Sequence, residues 1–200
     1  MKKWEMAALA GFLFCILLSF CGFSRRCDSV RGEVMRLHIL ANSDSEDDQN
    51  LKLAVRDEIL KESEFLFAQA ENLTQAKALA EENIMLFENA ANKVLAKNGS
   101  SQRAAVYIGK SEFNTRFYGD ITMPAGVYDS LIIKIGKAQG KNWWCVMFPQ
   151  MCLPAADDRA ALGEALSDKQ VELLESGEKY RVKFKCVEWY EGIRCSLGLR

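Results

Sequence analysis

Residues 34–57 read VMRLHILANSDSEDDQNLKLAVRD: an apolar run breaks into an acidic cluster and then resumes with a different period. Val34 to Ala41 is close to continuously apolar, the pattern of an interior strand covered on both faces. After the break, Leu51, Val55 and Ile59 recur four apart with Ala54 on the same face. Lys52, Arg56 and Asp57 point elsewhere, so this part reads as an amphipathic helix. Ser43 or Ser45 can cap a helix starting near Asp47, and Glu46, Asp47 and Asp48 then fall in its first turn, where the helix dipole favours carboxylates. The unit is a strand, a tight acidic turn and a helix.

On either side of that unit the pattern changes character. Upstream, Met6 to Ser24 is uncharged and rich in Leu, Phe and Ala, at the border between a signal-peptide core and a membrane-spanning helix. Residues 1–24 are therefore expected to be a signal peptide or an N-terminal membrane anchor, with residues 6–24 meeting the membrane. Gly22-x-Ser24 is the best available cleavage site, and Phe20 is too bulky for a lipoprotein signal at Cys21. Lys2 and Lys3 before the segment are balanced by Arg25 and Arg26 after it, so charge does not set its orientation. Residues 25–32, polar and basic, read as a linker, and residues 33–200 as one extracytoplasmic domain.

Downstream, apolar positions from Leu73 to Leu95 predict one long helix over residues 73–97, stopped by Asn98-Gly99. From Gln102 the period becomes two, giving strands at 104–108, 113–123, 127–136 and 143–148. A helix is expected over 157–176, and a last, half-exposed strand where Tyr180, Val182, Phe184 and Cys186 alternate with Arg181, Lys183 and Lys185. The order predicts an α+β single domain, a mostly antiparallel sheet packed against two to three helices, behind the apolar segment.

A net charge of −1 and the lack of a basic stripe argue against a nucleic-acid partner. Seven cysteines favour an oxidising compartment. Cys145 and Cys152 flank Phe148-Pro149 and suit a local clip; Cys186 and Cys195 would lie opposite one another if the last strand turned back at Tyr190-Glu191. The alternative is four buried thiols.

Few residues suggest bond-making chemistry. His38 is the only histidine, and its strand position sets it apart from Asp44, Asp47 and Asp48, which arrive after the turn. With no second His, a metal site is not expected, and no cofactor motif is present. The acidic turn fails as a calcium loop, having Gln49 at position six and Val55 at position twelve. The competing function is an exported hydrolase in which His38 and a carboxylate of the turn converge within hydrogen-bond reach. Adjacent Trp143 and Trp144 must face opposite sides of their strand, so one of them needs a cover on the far face.

Residues 35–60 resemble the opening of the stage II sporulation protein R family. A second block supports the likeness: Tyr118-Gly119-Asp120, Pro124 to Tyr128, and Gly140 to Pro149 with Cys152. The resemblance implies a signalling protein without enzymatic activity or cofactor. Such a protein is exported across the forespore membrane into the intermembrane space. There it activates a membrane-embedded aspartic protease of the mother cell, which processes a sigma-factor precursor. The family's characteristic positions carry over to Arg36, His38, Asn42, Ser43, Asp44, Asp48, Gln49, Lys52, Arg56, Asp57, Trp143, Trp144 and Cys145. Of these, Arg36, His38, Asn42, Asp44, Asp48, Gln49, Trp143 and Trp144 are the expected partner-binding set. Leu51 and Val55 are expected in the core.

Overall fold

The computed structural model describes residues 2–118, 121–149, 166–177 and 179–198. The element order is α1 (Lys3–Arg31), β1 (Met35–Leu40), α2 (Glu46–Phe67), α3 (Leu73–Glu82), α4 (Ile84–Lys97), β2 (Ala104–Phe113), β3 (Arg116–Tyr118), β4 (Ile121–Met123), β5 (Gly126–Ile135), β6 (Asn142–Phe148), α5 (Asp168–Glu175) and α6 (Arg181–Ser196).

Four strands form one sheet in the order β2-β5-β1-β6. β1 runs parallel to β5 and antiparallel to β6, while β2 is antiparallel to β5. The sheet is therefore mixed, with two antiparallel pairs and one parallel pair in an α+β fold. β1 is interior, as its apolar run requires, and alternation along it splits the core in two. Met35, Leu37 and Ile39 join Leu131, Ile133 and Ile135 of β5 under α2, α3 and α4. Val55 is fully buried in this layer and Leu51 packs at its edge. On the opposite face Phe113, Tyr128 and Val146 meet Phe23, Cys27 and Val30 of α1, with Leu173, Leu174, Phe184 and Val187 of α5 and α6. The β3-β4 hairpin adds Ile121 and Met123 to this second layer.

Several expectations need correction. The long helix over 73–97 is interrupted at Asn83, which ends α3 and precedes α4. Segment 113–123 is not one strand: its start completes β2 and the rest is the small hairpin. Residues 25–31 are not a linker but the last turns of α1, because Phe23, Cys27 and Val30 fall on one helical face and are buried. Tyr180 to Cys186 is helical, not extended. α6 is apolar on two sides, with Phe184 and Val187 inward and Val182 and Trp189 outward, and over a short window two apolar stripes imitate strand alternation.

That helix also removes one proposed disulfide. Cys186 and Cys195 are nine residues apart on α6, so the rise of about 1.5 Å per residue separates them by about 13 Å. A disulfide needs Cα atoms within about 7 Å. In the other pair Cys145 is buried in β6, and Cys152 lies outside the described residues. The expected helix over 157–176 is described only from residue 166 onward, where α5 occupies its end.

Candidate functional site

The turn between β1 and α2 is built around one carboxylate. Ser45 caps α2, accepting from the Asp48 backbone N–H at 3.3 Å. The Asp48 side chain then accepts from Asn42 Nδ2 at 2.7 Å, from Ser43 Oγ at 2.5 Å and from Gln102 Nε2 at 2.6 Å. Those donors, Ser43 first, then Gln102 and Asn42, hold its carboxyl down to a pKa of about 2. Asp48 is only 7% exposed, so it is an internal strut of the turn.

The same turn is tied to the loop joining β5 and β6. Asn42 Oδ1 accepts from the Lys137 N–H at 3.0 Å, and Asp44 Oδ1 accepts from the Lys141 N–H at 2.6 Å. Gln49 Nε2 donates to the Ser43 carbonyl at 2.8 Å. Lys52, almost fully buried, donates from Nζ to Gln49 Oε1 at 2.5 Å and to the Lys141 carbonyl at 3.1 Å. Burial pushes the Lys52 ammonium below its usual pKa. Two glycines allow the approach. Gly136 has φ +56° with the Asn42 amide where a Cβ would sit, and a Cβ on Gly140 would overlap the Ser43 carbonyl.

Arg36 and His38 point to the other face of β1. Arg36 is fully buried, its guanidinium carbon 4.0 Å from the Phe113 ring centroid and 5.1 Å from that of Tyr128. Its Nη2 donates to Tyr118 Oη at 2.8 Å, and that hydroxyl donates to the Trp144 carbonyl at 3.1 Å. His38 Nδ1 lies 3.2 Å from Ser111 Oγ, with the ring centroid 6.0 Å from both Phe113 and Trp144. Burial lowers the His38 pKa and outweighs a hydrogen bond with Asn142; the Arg36 and Lys134 charges act in the same direction as burial. The imidazole is therefore biased toward its neutral form.

The structure thus divides the expected set. Asn42, Asp44, Asp48 and Gln49 converge in one hydrogen-bonded turn; His38 is not with them, its Nδ1 facing Ser111 while Asp44 and Asp48 are bonded within the turn and to the β5-β6 loop. Arg36 and Asp48, expected at the partner surface, are both buried. Trp143 and Trp144 do face opposite ways, packing against the first and second core layers respectively. Each carries a guanidinium over its ring, Arg56 at 4.5 Å from Trp143 and Arg116 at 4.1 Å from Trp144.

Sequence reasoning missed Gln102, Gly136 and the role of Lys141. The two glycines in a short strand connection were the available signal. It also missed a groove of about 600 Å³ between residues 114–117 and α6, lined by Arg116, Phe117, Arg181, Val182, Lys185 and Glu188 among others. The groove is assembled from segments distant in sequence.

Comparison with known proteins agrees with the resemblance. A family model described as stage II sporulation protein R matches residues 31–158, a span holding the acidic turn, the sheet and both tryptophans. Stage II sporulation protein R of Bacillus subtilis (strain 168) is 33% identical over 178 residues, covering 78% of this chain and 80% of that protein. No solved structure matches the chain. With most of its length aligned and its structural turn inside the matched span, this chain belongs to the stage II sporulation protein R family and has a role in sporulation.

Proposed function

We propose that this chain is an exported sporulation signal that activates a membrane-embedded aspartic protease, and through it the processing of a sigma-factor precursor in the mother cell. The observation that carries the reading is the family match over the folded domain, joined to an N-terminal helix whose apolar half stands free of that domain. The helix α1 spans 29 residues, about 43 Å at 1.5 Å per residue, long enough to cross a bilayer with its last turns outside. Delivery to a membrane is the role the proposal gives that segment, and export across the forespore membrane is the direction it requires.

The signal acts by contact. The exposed rim of the acidic turn, Asp44, Glu46 and Asp47, sits on a base made rigid by Asp48, and Asn42 and Gln49 are partly accessible beside it. A preorganised, negatively charged turn loses little entropy on docking and suits a basic or amide-rich loop of the protease. Trp143 and Trp144 contribute by holding β6 in register, each clamped by an arginine.

The test is reconstitution. Vesicles containing the protease and its sigma-factor precursor are given the full chain. Cleavage is expected to rise on addition and to fall with the Asp44→Lys/Asp47→Lys variant. Unchanged cleavage on adding the folded parent chain overturns the reading.

A further inference from the structure

We propose that the outer face of α6 lies in the headgroup layer of the same bilayer that holds α1, so that the domain is seated on the membrane surface. This rests on the membrane reading of α1 and adds a second contact to it.

α6 is a helix with two apolar faces. The inward one, Phe184 and Val187, is buried against the sheet layer. The outward one is Val182 (77% exposed), Trp189 (64%), Ile193 (58%) and Leu197 (66%), at helical spacings that place them along one stripe. A stripe of large apolar side chains left in water marks an interaction surface.

What covers it is indicated by where α6 crosses α1. Phe23, on the buried half of α1, meets Phe184 with centroids 5.0 Å apart. One turn nearer the N-terminus, Phe20 meets Tyr190 at 5.8 Å, and Lys183 Nζ donates to Ser19 Oγ at 3.1 Å. Beyond Ser19 the α1 side chains, Phe12, Leu13, Phe14 and Leu17 among them, are exposed. The crossing therefore lies at the level where α1 leaves the domain. Tyr190 makes the outward stripe of α6 continuous with the exposed apolar half of α1, so an environment that covers one adjoins the other.

The chemistry of the surrounding residues fits a lipid interface. Trp and Tyr favour the headgroup level, where an apolar ring and a polar tip are both satisfied. Lys183 flanks the stripe on the side of α1, with Arg194 beside it 3.4 Å from Glu191; Lys185 flanks it on the other side, paired with Glu188 at 2.5 Å; and Arg25 and Arg26 follow the crossing residues Ser19, Phe20 and Phe23 along α1. Long basic side chains of this kind lay their stems on apolar surface and place their charge among anionic headgroups. The segment therefore combines an apolar stripe carrying an exposed Trp, basic side chains along its edges and direct continuity with a spanning-length helix.

The full chain is reconstituted into vesicles of phosphatidylcholine and phosphatidylglycerol, with and without lipids brominated near the headgroup. Parent, Trp189→Phe and Trp4→Phe chains are compared by flotation and tryptophan fluorescence. Trp189 is exposed, so its replacement leaves the core intact. Of the four tryptophans, Trp4 and Trp189 are the two expected at a bilayer interface, so the quenchable emission should fall by about half in Trp189→Phe. A parent chain that does not float with the vesicles overturns both the membrane reading of α1 and this proposal. A chain that floats while Trp189→Phe removes only unquenched emission overturns this proposal alone, and is the result expected if a protein partner or a second copy covers the stripe.

Discussion

Gln102 donates from Nε2 to Asp48 Oδ1 across 2.6 Å, joining the approach to β2 to the first turn of α2. With Asn42 and Ser43 on the second carboxylate oxygen, three side-chain donors depend on one anion. Asp48→Ala strands those donors, which are half-buried. The expected loss is about 1 to 3 kcal/mol of unfolding free energy, read from denaturant titration of the full chain in detergent. Gln102→Ala, which removes one donor, should lose about 1 kcal/mol. Equal losses in the two variants would contradict a carboxylate-centred turn.

The same arrangement sets an acid limb. Asp48 has a folded pKa of about 2, below the ordinary value of 3.8. A depressed carboxylate contributes stability that is present above its unfolded pKa and disappears as pH falls through the folded one. The window is therefore about pH 4 down to pH 2, and the contribution is on the order of 2 kcal/mol. Comparing denaturation midpoints at pH 6 and pH 2.5, the parent should lose more than Asp48→Asn, which has no proton to take up there. Parallel losses would place the acid sensitivity in other carboxylates.

Gly140 gives a sharper test because its neighbour is backbone. A methyl group there would overlap the Ser43 carbonyl, and relief requires the β5-β6 connection to leave the turn. That movement also breaks the Lys141 N–H to Asp44 bond, which measures 2.6 Å. Gly140→Ala should cost about 2 kcal/mol or more, and should raise amide exchange at Lys141 selectively. A neutral substitution would show that the two loops do not touch in solution.

The sequence was most legible where one local pattern decided the outcome. The apolar run of β1, the Ser45 cap and the stop at Gly99 are local features, and each stands where the pattern puts it. It was least legible where two faces of one element compete. α6 buries Phe184 and leaves Trp189 outside, so its periodicity mixes two stripes and imitates a strand. The site shows the same division. Asp48 was readable as a helix-start carboxylate, but its dependence on Gln102 comes from a contact between distant segments. The burial of Arg36 between Phe113 and Tyr128 likewise needs three strands in register.

Arg31 and Glu191 tie the end of α1 into the folded domain. Arg31 Nη2 lies 3.1 Å from Glu191 Oε1, both side chains are nearly buried, and Arg31 also donates to the Ala125 carbonyl and to Asp28. The last turn of α1 thus neutralises a carboxylate on α6, with Arg194 a more distant partner at 3.4 Å. Arg31→Ala leaves Glu191 short of its main counter-charge and should cost about 3 to 5 kcal/mol, whereas Arg31→Met with Glu191→Leu should recover much of that loss. A chain starting at residue 25 loses buried Phe23 but keeps Cys27, Val30 and Arg31; one starting at residue 33 loses all four. The longer chain should therefore melt cooperatively, and the shorter one should lose near-ultraviolet circular dichroism from the second core layer. If the two melt alike, α1 is only a tether, and the folded domain begins at β1.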